Sequence, residues 1–163
     1  MSQGYMPQPD RLDWGTPQAI FDYANERFGE FSIDLAASAE NTKCARFMDK
    51  EYDALGSNWH HLHLHGKSGW LNPPYGCMLK PFAEHVIMQL EATNIKRVVM
   101  LVPSRTDTRW FNSLIPHASH VIFFKGRLRF EGADSSAPFP SCLLVLEKNP
   151  IKRVVEFDVR VNE

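Results

Sequence analysis

From Thr16 to Gly29 the apolar residues keep to one side of a helix, with Ile20, Phe21, Ala24 and Phe28 recurring every three or four positions. Thr16-Pro17 predicts the helix start, a capping hydroxyl followed by proline at the first helical position, and Gly29 can end it. Phe31 to Leu35 then reads as a short strand carrying a carboxylate, Asp34, at its end. Residues 36–68 show no clear period, and Cys44 to Met48 are expected as one or two helical turns. Gly69-Trp70-Leu71 forms a strand stub that runs into Asn72-Pro73-Pro74-Tyr75-Gly76, which neither a helix nor a regular strand can traverse.

Beyond that loop the alternation resumes. Lys80-Pro81 opens a helix with Phe82, Val86, Met88 or Gln89, and Leu90 on its core side. Arg97 to Val102 is a continuous apolar run of the kind found in buried parallel strands. Thr108 to Leu114 predicts a short helix, and His120 to Lys125, Cys142 to Glu147 and Val154 to Val161 predict strands. The order implies an α/β sheet finishing with antiparallel strands.

Composition narrows the class. The 163 residues suit a single domain, 1–163, with residues 1–12 as a flexible N-terminal arm. Apolar residues make up 44% and no run approaches the length of a membrane helix, so no membrane partner is expected. Cys44, Cys77 and Cys142 lack metal spacing, which suggests reduced thiols in a cytoplasm. A net charge of −1 argues against a protein that coats DNA, although an enzyme visiting DNA needs only a local basic surface. Arg105, Arg109 and the alternating Lys125, Arg127 and Arg129 could supply one, or could simply be solvated surface.

Asn72 to Tyr75 suggest a chemistry. The exocyclic amino nitrogen of adenine is a poor nucleophile because its lone pair is delocalised into the ring. Acceptors fixed in advance can draw that lone pair out by bonding the amino hydrogens as positive charge develops. The side-chain oxygen of Asn72 and the carbonyl of Pro73 are two such acceptors, and the prolines Pro73 and Pro74 stiffen the loop while removing competing donors. Tyr75 offers an aromatic ring for base stacking, and a base within a duplex would have to be flipped out. The alternative is a rigid proline turn with no chemical role. His60, His61, His63 and His65 invite a metal assignment, with the last three on one strand face, but no cysteine or acid is placed to complete a site and no metal is expected.

The order of motifs resembles the small phage-type DNA N6-adenine methyltransferase (Dam) family. The matching segments are Trp14-Gly15-Thr16-Pro17, Asp34-Leu35-Ala36-Ala37, Asp53-Ala54-Leu55 with Trp59, and Trp70 to Gly76. Further on come Leu101-Val102-Pro103, Thr106-Asp107-Thr108 with Trp110-Phe111, Gly126-Arg127-Leu128 with Phe130, and Ala137-Pro138-Phe139. The resemblance implies a Rossmann-like sheet binding S-adenosylmethionine over the carboxyl ends of its parallel strands. It places Trp14, Thr16, Pro17, Asp34, Ala36, Ala37, Asp53 and Asn72 around that cofactor, and implies double-stranded DNA as partner of a monomer or homodimer in a bacterial host cell. Ser104, Arg105, Thr106, Arg109, Arg127 and Arg129 are the expected DNA contacts. Two departures stand out: the usual glycine-rich turn after the first strand is absent, and only 37 residues separate Asp34 from Asn72. One strand must be reduced or the sheet trimmed. Adenine in RNA, a protein glutamine amide, or a catalytically silent protein that binds DNA or a host partner are the alternatives.

Overall fold

The computed structural model describes residues 14–49 and 54–161. Asp53 and the expected N-terminal arm at residues 1–12 lie outside the described residues. Helix α1 (Gln18–Phe28) leads into β1 (Phe31–Asp34), and β2 (Ser68–Leu71) is followed by α2 (Leu79–Ala92) and β3 (Arg97–Pro103). Helix α3 (Arg109–Leu114) then precedes β4 (Ala118–Phe124), β5 (Ser141–Leu146) and β6 (Val154–Val159). The strands form one sheet in the order β1-β2-β3-β5-β4-β6.

Pairing is parallel for β1 with β2, β2 with β3, and β4 with β6, and antiparallel on both sides of β5. Thus only β5 runs against the others; the antiparallel finish expected from the sequence is confined to that strand. The helical connection between β3 and β4 turns the chain through a full crossover, which restores the parallel direction. Strand β5 then slots back between them. Consequently the segments after β1, β2, β3 and β4 all leave from the same edge of the sheet, where ligands bind in open α/β sheets.

The core follows the apolar pattern. Strand β5 is buried at every position and β3 at all but Arg97. The buried face of α1 is Ile20, Phe21, Ala24 and Phe28, as its spacing predicts, with Phe21 packed on Phe31 and edge-on to Trp70. In α2 it is Gln89 and not Met88 that turns inward: the Gln89 Oε1 accepts a hydrogen bond from the Trp59 backbone amide at 2.9 Å, while Met88 is 53% exposed. That bond satisfies a polar group that would otherwise be costly to bury.

Two local expectations fail. Cys44 to Met48 are not helical; Phe47 pairs in parallel with Asp34, through Asp34 N to Arg46 O and Met48 N to Asp34 O. This is the reduced strand that the short interval between Asp34 and Asn72 demands, extended because its backbone groups are satisfied by the open edge of β1. The second failure concerns the histidines. Trp59–Leu62 is a 3₁₀ turn and His63 is left-handed, so His61, His63 and His65 do not share a strand face.

Candidate active site

Asn72 leaves the carboxyl end of β2, and its amide is held from two sides. Its Nδ2 donates to the Trp14 carbonyl oxygen at 2.7 Å and to Thr16 Oγ1 at 3.1 Å. A carboxamide nitrogen has two hydrogens, and both are thereby used. Exchanging its oxygen and nitrogen would set one carbonyl oxygen against another at the same short distance, so the network fixes which atom is which. The oxygen Oδ1 is left buried with no hydrogen-bond partner among the described residues.

The expected cap of α1 by Thr16 is not made. Pro17 takes the N-cap position, with no side-chain cap bond, and its carbonyl accepts from Ile20 N and Phe21 N at 3.1 and 3.2 Å. The Thr16 hydroxyl is occupied elsewhere: besides Asn72 it accepts from the Trp70 indole Nε1 at 3.3 Å. Thr16 is buried, and Trp14 is half-buried beside it.

Tyr75 is enclosed. Its hydroxyl donates to the Leu101 carbonyl at 3.4 Å, and its ring meets Phe130 and Phe139 edge-on at centroid distances of 5.8 and 5.5 Å. Burial holds its acidity well below that of an ordinary phenol, so it stays protonated. Phe130 also lies 6.3 Å from the Trp14 ring. A base stacking on Tyr75 therefore requires the aromatic side chains of the β4–β5 segment to give way.

At the end of β1, Asp34 is 3% exposed, and burial raises its carboxyl from the ordinary value of 3.8 to about 6. Two backbone amides partly compensate, Lys43 N to Oδ2 at 3.1 Å and Ala36 N to Oδ1 at 3.3 Å. Ala36 and Ala37 are half-buried in the adjoining turn, so small side chains line the approach to the carboxylate.

Lys43, Glu131 and Trp70 carry contacts that the sequence pattern did not single out as site roles. The Lys43 ammonium bonds Gln18 Oε1 at 3.0 Å and Glu131 Oε1 at 2.7 Å, with its side chain 8% exposed. Glu131 in turn donates its backbone amide to the Gly15 carbonyl at 2.9 Å. A Cβ on Gly15 would come within 2.9 Å of the Glu131 Cβ, which explains glycine at that position. The β4–β5 segment is thus strapped across residues 14–16, next to Asn72.

Of the expected DNA contacts, Arg105, Thr106, Arg109, Arg127 and Arg129 are exposed on the segments after β3 and β4. Arg129 Nε bonds Ala133 O at 3.2 Å within its own loop. Ser104 differs: its hydroxyl is buried beside the Cys142 thiol, and its amide bonds Pro140 O at 2.9 Å. Thr108 caps α3 by accepting from Phe111 N.

The fold is a mixed α/β sheet that sets an acceptor-bearing proline loop and a buried carboxylate at the carboxyl ends of its parallel strands. The particular family follows from comparison: residues 3–154 match the model of the DNA N-6-adenine-methyltransferase (Dam) family, and the chain belongs to that family. It is 33% identical over 124 residues to a DNA N-6-adenine-methyltransferase of Escherichia phage T1, covering 75% of this chain and 48% of the relative. A protein of the same name from Haemophilus phage HP1 is 32% identical over 124 residues, 76% of this chain and 68% of the relative. The match therefore spans about half of one phage protein's length and about two thirds of the other's. Among solved structures, the Type IIL restriction-modification enzyme MmeI in complex with DNA aligns with a TM-score of 0.46 at 11% identity, over 88% of this chain and 23% of that one. No helix among the described residues is long and apolar enough to cross a membrane.

Proposed function

We propose that the chain transfers a methyl group from S-adenosylmethionine to the N6 amino group of an adenine flipped out of duplex DNA. The observation that carries this reading is the buried, unpartnered Oδ1 of Asn72 in the Asn-Pro-Pro-Tyr loop. An acceptor with no partner in the free protein suits a substrate that brings its own N–H donor. Family membership and the names of the phage relatives support adenine in DNA as that substrate.

The cofactor's charges fit the residues at the neighbouring strand end. A methionyl ammonium needs an anion, and Asp34 is a buried carboxylate with small residues beside it. Asp34, with Ala36 and Ala37, would hold that end. The bound cofactor would supply a methyl group already activated by a sulfonium.

The chain's own part is to make the amino nitrogen reactive. Asn72 Oδ1 and the Pro73 carbonyl accept the amino hydrogens and favour the pyramidal, charge-developing nitrogen. Pro73 and Pro74 keep that geometry from relaxing. With the cofactor bound, the N–C bond would form as its S–C bond breaks, and the extra proton would leave the nitrogen afterwards, so no general base would be needed beforehand. Arg105, Thr106, Arg109, Arg127 and Arg129 provide the phosphate contacts that position the duplex.

The test is tritiated methyl transfer to unmethylated DNA by wild type and Asn72→Ala. Label recovered as N6-methyladenine, and lost in the variant with the fold intact, is the expected result. Cofactor binding without label in DNA would overturn the reading and move RNA or protein substrates forward.

A further inference from the structure

We infer that Thr16 is a positioning residue for the reaction: its hydroxyl oxygen locks the Asn72 carboxamide so that Oδ1 alone faces the incoming amino group. This rests on the methyltransferase reading above and gives Thr16 a different role from the cofactor contact that the family resemblance implies.

The Asn72 Nδ2 has two hydrogens, one on the Trp14 carbonyl at 2.7 Å and one on Thr16 Oγ1 at 3.1 Å. Trp14 alone would leave the second N–H free to turn toward the substrate, presenting a donor where an acceptor is required. The Thr16 oxygen removes that option. Its own orientation is constrained in turn by the Trp70 indole N–H, which occupies a second lone pair at 3.3 Å.

Each partner is anchored independently. Trp70 is fully buried on β2, two residues before Asn72, with Phe21 and Phe31 packed on its ring. Thr16 is 4% exposed and immediately precedes the Pro17 that starts α1. The helix start and the strand end thus converge on one oxygen atom. Preorganisation of this kind matters because a carboxamide free to rotate spends part of its time with the wrong end forward.

Thr16→Val keeps the side-chain shape and deletes the acceptor, whereas Thr16→Ser keeps the oxygen. In steady-state methylation of DNA, Thr16→Val is expected to lower kcat roughly 10–100-fold, below the largest losses seen for deleting a direct transition-state hydrogen bond. Thr16→Ser should restore most of the rate. Cofactor affinity by calorimetry should change by less than about twofold in both. Retention of kcat in Thr16→Val, or a loss expressed mainly as cofactor affinity, would overturn the inference.

Nuclear magnetic resonance gives readouts that do not need activity. On wild type, both Asn72 Nδ2 protons are expected to exchange slowly with solvent, and the Trp70 indole proton should carry the shift of a hydrogen-bonded group. Free exchange at Asn72 would overturn the inference even if Thr16→Val does not fold. Should wild type methylate no DNA, the functional reading fails, while the exchange measurement still decides whether Thr16 orients Asn72.

Discussion

Asp34 couples stability to pH in a direction opposite to most carboxylates. Its folded-state value is raised from 3.8 to about 6, chiefly by burial, with the Lys43 and Ala36 amides working the other way. The folded protein therefore binds this proton more tightly than the unfolded chain does. The associated stability is fully present below about pH 4 and is lost as pH rises through about 6. A shift of this size corresponds to about 3 kcal/mol. For a chain of this length that is a melting-temperature difference of roughly 6–12 °C. Glu156, held ionised by Arg27, contributes in the opposite sense at low pH, so the Asp34 effect must be isolated. The comparison is wild type against Asp34→Asn in urea unfolding from pH 4 to 7. The difference in stability between the two proteins should move by roughly 2–2.5 kcal/mol across that range, with wild type losing ground as pH rises. A difference that stays flat would refute the burial argument. On the proposed reading, in which Asp34 holds the cofactor's ammonium, cofactor affinity should weaken by up to about tenfold for each pH unit below 6.

Other perturbations test the rest of the site. Asn72→Asp places an oxygen where Nδ2 now bonds the Trp14 carbonyl and Thr16, and should cost about 2–4 kcal/mol in urea unfolding as well as activity; unchanged stability would count against the assigned orientation. Gly15→Ala drives a Cβ to within 2.9 Å of the Glu131 Cβ, so the strap must shift. Faster hydrogen exchange at the Glu131 amide is the expected sign, with a destabilisation of about 1–3 kcal/mol. Burial pushes the thiols of Cys44 and Cys142 up to about 12, whereas Cys77 is exposed. A chromogenic disulfide at pH 8 should therefore label one thiol quickly in the native protein and three only after unfolding.

Elements with a plain apolar pattern, periodic in α1 and continuous in the buried strands, were legible in the sequence. Helix α1, the continuous strand at Arg97–Pro103 and the strand ahead of the proline loop all appear where the apolar spacing puts them. Within residues 36–49 and 54–68 the pattern resisted because several backbone groups are satisfied by distant parts of the chain and not by a local period. The segment 46–48 is extended through its bonds to Asp34, and Gly66 N bonds Asn94 O at 2.8 Å. The antiparallel finish expected from the sequence holds for β5, but the pattern does not show that β4 and β6 run parallel or that β5 inserts between β3 and β4. Likewise, no spacing rule separates Gln89 from Met88 without knowing that the Trp59 amide awaits an acceptor.

The site divides in the same way. Asn72 and Asp34 stood out because a proline pair and a carboxylate at a strand end are unusual locally. Thr16 did not reveal its role, since a threonine before proline at a helix start already has a sufficient local explanation. Its actual partners, Trp70 and Asn72, lie more than fifty residues away along the chain. The competing demand wins for a physical reason: the start of α1 opens to solvent at Gln18, whereas the buried indole and carboxamide N–H groups cannot reach water. What the same network leaves unsatisfied is equally telling. A core arranged for stability alone would pair Asn72 Oδ1 or replace the side chain with an apolar one. Here the Trp14 carbonyl and the Thr16 hydroxyl, itself held by the Trp70 indole, keep the amide in the one orientation that leaves its oxygen without a partner, and the buried Phe130 packs between Trp14 and Tyr75, on either side of that residue in the chain. Local rules broken at such a cost, within a chain that otherwise obeys them, are expected at functional sites and support the role proposed for Asn72.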